Sequence, residues 1–134
     1  MWANFDTSNF PVVEVTMGVG ELNESSWQKF KQDWLDLYDK GEEFEINFDT
    51  SNVGFVNPKY AFRTSNFITE LKDTEEVYGK QLMNRSTIYC NSIYVKTLLN
   101  LIFKIKKPVC KIHITNIKLK FCEINDSNFV IDKH

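Results

Sequence analysis

Apolar and polar positions alternate along this chain with two different periods, and the switches between them mark out its elements. Residues 11–17, PVVEVTM, are rich in β-branched side chains and end at Gly18 and Gly20, which predicts a strand. Trp27, Phe30, Trp34, Leu37 and Tyr38 then recur at helical spacing, with Gln28, Lys31, Gln32, Asp33 and Asp36 on the other side. Asn23 or Ser25 serves as the cap of this helix, and Lys40 with Gly41 as its stop. In FEINFD, Phe44, Ile46 and Phe48 alternate with Glu45 and Asn47, the pattern of a strand buried on one side. Pro58 opens a second predicted helix over residues 58–71 that buries Tyr60, Phe67, Ile68 and Leu71, and DTEEVYGK follows as a loop or a frayed end.

Residues 86–90 predict a third strand, and Ser92 caps a third helix holding Ile93, Val95, Leu98, Leu99, Ile102 and Phe103, stopped at Pro108. Cys110, Ile112 and Ile114 alternate with Lys111, His113 and Thr115 as a fourth strand. Ile117, Leu119 and Phe121 do the same as a fifth, before a polar tail. Strands alternating with helices predict an α/β single-domain fold over residues 1–134: a mixed, mostly parallel sheet of four to five strands covered by about three helices. The hexapeptide NFDTSN occurs at residues 4–9 and again at 47–52, but residues 10–20 do not match 53–63. The two copies therefore read as turn chemistry used twice and not as a structural repeat.

Composition changes this picture little: 43% hydrophobic and 25% charged residues, with eleven Phe, are those of a globular chain with a full core. No stretch approaches the roughly 18–20 apolar residues of a membrane span, and no signal sequence is evident, so a soluble cytoplasmic protein is expected. Three cysteines in a chain of 134 residues point to reduced thiols. Charge is more informative. Residues 1–79 carry 6 basic and 15 acidic side chains, while residues 80–134 carry 10 and 3, a segregation that folding either preserves or interleaves away.

The order of landmarks resembles the STAS domain, the family of bacterial anti-sigma-factor antagonists and sulfate-transporter cytoplasmic domains. The matching segments are VVEVTM, GELN at residues 20–23, WQKFKQDWLDLY, FEINFD, TSNVGFVNPKY leading into the second helix, STIYCN, FKIKKP and CKIHIT, over roughly residues 11–115. The resemblance implies a non-enzymatic, regulatory protein–protein interaction module that docks a partner through the loop before the second helix, here Val53, Gly54, Phe55, Asn57, Lys59 and Tyr60. In the antagonist branch that loop resembles D-S-S-G with a phosphorylated hydroxyl. Here Pro58 falls at that place, which implies a member without the phosphorylatable serine.

Candidate chemistry is sparse. Cys110, His113 and Cys122 give C-x2-H-x8-C, but residues three apart in a strand face opposite ways, so no metal or other cofactor is expected. Asp33, Asp36, Asp39, Glu42, Glu43 and Glu45 read as a solvated acidic surface, and Cys90 and Cys110 as inert buried thiols, so no catalytic residues are assigned. Lys96, Lys104 and Lys107, spaced by eight and three, together with Lys111, form a candidate basic patch for an anionic lipid or ligand. With only Arg63 and Arg85 as arginines, sequence-specific nucleic-acid reading is not expected. An alternative function, binding a small lipid or apolar ligand in an aromatic-lined pocket, follows from the aromatic excess.

Overall fold

The computed structural model describes residues 1–116 and 129–131. Its strands are β1 (Ala3–Asp6), β2 (Val12–Met17), β3 (Phe44–Asp49), β4 (Met83–Tyr89), β5 (Lys111–Thr115) and β6 (Phe129–Ile131), and its helices are α1 (Glu24–Tyr38), α2 (Lys59–Tyr78) and α3 (Ile93–Ile105). They form one six-stranded sheet in the order β1-β2-β3-β4-β5-β6. The pairs β2–β3, β3–β4 and β4–β5 are parallel, and the outer pairs are antiparallel. The fold is therefore α/β and mostly parallel, as the alternating periods predict. Two strands were not anticipated: β1, too short to show an alternation, and β6. The expected strand through Ile117, Leu119 and Phe121 lies outside the described residues, as do Lys118, Lys120 and Cys122.

Because strand order follows sequence order, each right-handed crossover steps the same way and carries its helix to the same face of the sheet. Burial follows this arrangement. Val13, Val15, Phe44, Ile46, Phe48, Ile88, Ile112 and Ile114 face the helices and are buried. In register with them on the opposite face stand Glu14, Glu45, Asn47, Arg85, Thr87, Lys111 and His113. Asn47 donates to Glu14 across that face at 3.1 Å. Tyr38, Phe44, Phe67 and Leu71 are almost wholly buried between the layers, each contributing on the order of 1.5–3 kcal/mol of apolar transfer.

The helix ends explain the lengths. Asn23 is the N-cap of α1, with a reciprocal capping box in which Asn23 Oδ1 accepts from Ser26 N and Ser26 Oγ accepts from Asn23 N, both at 2.9 Å. α2 runs on through the stretch expected to be loop or frayed. Gly79, at φ +78°, closes it by donating to Glu75 O at 2.8 Å, and only glycine takes that conformation without cost. Gln81 then ties three elements together: its Oε1 accepts from Tyr38 Oη at 2.5 Å and Met83 N at 3.2 Å, and its Nε2 donates to Leu71 O at 3.1 Å.

The NFDTSN copies build the same device. Asp6 Oδ1 accepts from Ser8 N and Asp49 Oδ1 from Ser51 N, each at 2.9 Å, turning the chain at the ends of β1 and β3. The related TSNF at residues 64–67 is helical, with Thr64 Oγ1 donating to Tyr60 O at 2.7 Å.

Candidate functional site

The carboxyl ends of β2, β3 and β4 lie side by side, and the segments leaving them gather at one rim of the sheet. The crossovers all step the same way, so no crevice opens between diverging helices and the rim is shaped by the loops themselves. Gly18 ends β2 at φ +80°, and a Cβ on it would stand 2.5 Å from Asn52 O, so the first and second loops are in backbone contact. Gly18 N and Val19 N both donate to Trp2 O, at 2.9 and 3.0 Å, which holds the N-terminal residues against the same rim. Val53 N donates to Thr50 O at 3.0 Å, and Thr50 is fastened to β4 through Tyr89 O, which its Oγ1 reaches at 2.7 Å.

The third loop completes the rim. Ser92 caps α3 by accepting from Val95 N, and the next two residues, Ile93 and Tyr94, turn outward. Tyr94 Oη donates to Val56 O at 2.7 Å and accepts from Val56 N at 3.3 Å, so one phenol holds both backbone groups of a residue in the second loop. Its ring lies nearly parallel to Phe55, with centroids 6.4 Å apart and planes 15° apart. Phe55 is 82% exposed, Ile93 86% and Tyr94 40%. Three large apolar side chains thus stand in solvent on a loop–helix junction held by paired hydrogen bonds. Arg63, one turn into α2, is ion-paired with Glu24, and that hydrogen bond is the main reason the Glu24 carboxyl is held below the ordinary carboxylate range.

The loop residues anticipated from sequence divide in two. Gly54, Phe55, Asn57 and Lys59 are exposed, and Val53 is half-buried. Tyr60 departs from the expectation of a surface contact: it is 6% exposed and packs on Trp27 at 5.7 Å, because the first turn of α2 directs it inward. Asn57 acts locally, its Oδ1 accepting from Lys59 N at 3.0 Å where Pro58 cannot cap with its side chain. Ile93 and Tyr94 were not anticipated as surface residues, since helical periodicity assigns Ile93 to an apolar set without saying that a first-turn residue overhangs the sheet.

Two recesses meet behind this rim. The outer one, about 320 Å³, is bounded by Gly18, Gly20, Asn52 and Phe55 among others. The inner one, about 140 Å³, lies between the sheet and all three helices. Trp2, Leu22, Val53, Val56 and Tyr60 border both.

The remaining candidates do not assemble into a site. Lys96, Lys104, Lys107 and Lys111 are all exposed, but the helical spacing expected to align them applies only to Lys96 and Lys104. α3 ends at Ile105 with Lys106 extended, so helical spacing does not place Lys107 beside Lys104. Lys111 is in register with the face of the sheet away from α3. Cys90 and Cys110 are buried free thiols, and His113 is buried on the face opposite the helices. Among the described residues no group of three or more His, Cys, Asp or Glu is placed to hold a metal ion, and no helix is long and apolar enough to cross a membrane. In the acidic run, Asp33 pairs with Lys29 at 2.7 Å, Asp36 accepts from Gln32 at 2.7 Å and Glu43 lies 3.4 Å from Lys80. Those partners leave the carboxylates dispersed along a surface. Compared with known proteins, the chain matches no family model, no curated protein and no solved structure.

Proposed function

We propose that this protein is a non-enzymatic, STAS-like interaction module that docks a protein partner on the rim formed by Phe55, Ile93 and Tyr94. The observation that carries this reading is the joint exposure of these three side chains on a hydrogen-bonded junction. Single exposed apolar residues are ordinary, whereas a cluster held in fixed geometry contributes contact area without the entropy cost of ordering a loop on binding. The order of strands and helices, with the recognition loop leading into the second helix, supports the same reading, as does the dispersal of the ionisable groups. In this reading Phe55 is the anchor and Gly54, Asn57 and Lys59 form its polar surround.

The test is affinity purification from the source cell, followed by titration of the identified partner against purified variants. Phe55→Ala and Ile93→Ala are each expected to weaken binding at least tenfold while leaving the circular dichroism and melting temperature unchanged, since both side chains are in solvent. A partner that binds both variants as tightly as the parent protein rules the surface out.

A further inference from the structure

We propose that the inner recess is a binding site for a small uncharged molecule, a substituted benzene in size, carrying one oxygen or nitrogen that accepts a hydrogen bond. This inference is independent of the docking surface. It rests on the polar atoms in an otherwise apolar wall. The recess of about 140 Å³ is bordered by aliphatic and aromatic side chains from the sheet and all three helices, and by few polar ones. Apolar cavities of about this size stay dry and admit benzene-like molecules.

Ser86 is the exception in that wall. It projects from the helix-facing side of β4, in step with Ile88, and is 1% exposed. Its Oγ has no hydrogen-bond partner among the described residues. The two threonine hydroxyls of the wall differ: Thr50 Oγ1 donates to Tyr89 O and Thr64 Oγ1 to Tyr60 O, each at 2.7 Å. A second wall residue, Trp34, also has a buried and unpartnered Nε1. A buried hydroxyl or indole N–H left without a partner costs on the order of 1–3 kcal/mol, and a valine or alanine at position 86 would avoid that cost. The indole can only donate and the hydroxyl can donate, so either is met by an acceptor on the occupant. A water molecule needs two to four polar partners, and the aliphatic wall offers few.

Val53 and Val56 of the second loop border both the inner recess and the outer one of about 320 Å³ at the rim. Entry from that side needs movement of the second loop and no unfolding of the sheet.

The experiment uses the purified chain and a matched pair of probes, acetophenone, which carries a carbonyl acceptor, and cumene, its near-isosteric hydrocarbon. Binding is read by NMR titration of the isoleucine methyl groups, with Ile88 as reporter, and by xenon-129 shifts on the unmodified protein. Both probes are expected to saturate the Ile88 signal. Ser86→Ala is expected to weaken acetophenone about three- to tenfold, the worth of one neutral hydrogen bond, and to leave cumene unchanged or tighter. Ala61→Leu, which places three extra carbons in the same wall, should exclude both. If neither probe nor xenon perturbs Ile88 in the parent protein, the recess is not a site. Should Ser86→Ala leave acetophenone as tight as before, the hydroxyl does not select the ligand. The xenon measurement needs no variant, so it decides the first point even where a substitution fails to fold.

Discussion

Replacing Tyr94 with phenylalanine isolates the cause of order in the recognition loop. The substitution keeps the ring that stacks on Phe55 and removes only the hydroxyl that holds Val56 through its carbonyl at 2.7 Å and its amide at 3.3 Å. A neutral hydrogen bond contributes about 1 kcal/mol net, and here the partners are exposed, so the loss is on the order of 1 kcal/mol confined to residues 52–57. At 1.4 kcal/mol per decade that is about a fivefold rise in the population of the open loop. Amide hydrogen exchange measures this directly, because the rate at Val56 scales with that population while amides in β3 and β4 report the global fold. The expected result is Val56 exchange faster by about fivefold, strand amides within error of the parent, and a melting temperature lowered by no more than about 5 °C. Partner affinity should fall as well, with no contacting atom other than the hydroxyl removed, because Phe55 would have to be ordered on binding. If Val56 exchanges at the parent rate in a folded Tyr94→Phe protein, the phenol does not hold the loop and the argument for a preformed surface fails.

Other outcomes follow from the same geometry. Gly18→Ala should destabilise by more than about 2 kcal/mol in urea unfolding, since it combines a positive φ with a Cβ placed 2.5 Å from Asn52 O, whereas Gly54→Ala, with nothing within 4 Å, should be neutral or slightly stabilising. Gln81→Ala removes the partner of Tyr38 and the tie between α2 and β4, and is expected to cost about 2–3 kcal/mol, read as a fall in melting temperature of roughly 6–12 °C. Burial is the main cause that pushes the Tyr38 phenol well above its usual value, so the folded state holds that proton more tightly than the unfolded chain. Its contribution is complete below about pH 10 and is lost as pH rises further, at about 1.4 kcal/mol per pH unit, and Tyr38→Phe should remove that part of the alkaline slope in pH-jump denaturation.

The sequence exposed the parts of this fold that repeat and hid those set by a single residue. Phe44, Ile46 and Phe48 alternating with polar partners implied a sheet covered on one side, and all three helices do lie on one side, since strands covered on both faces would read as continuous apolar runs. Ser92 was legible as a cap, and Asn23 as one of two candidates with Ser25, because short polar side chains have few other uses before an amphipathic run. The length of α2 was not legible, because its last turns are polar all round and are terminated by one glycine whose φ a sequence does not display. The burial of Tyr60 was legible from helical spacing, which conflicts with its place in the docking loop, whereas the outward turn of Ile93 depends on how the first turn of α3 meets the sheet edge. Ser86 was read only as the first residue of a strand. Its orientation toward the helices depends on the register with β3, fixed by the irregularity between Phe44 and Glu45.

The strand order has an electrostatic consequence. Because neighbours in the chain are neighbours in the sheet, the acidic strands of the first half and the described basic residues after them are laid out along its width and not shuffled together. Asp6, Glu14, Glu45 and Asp49 belong to one flank, and Arg85, Lys104, Lys107 and Lys111 to the other. The described charges therefore make a lateral dipole. In dilute salt it should turn in the field of a charged neighbour before touching it, and that alignment should vanish as the screening length falls below the width of the sheet.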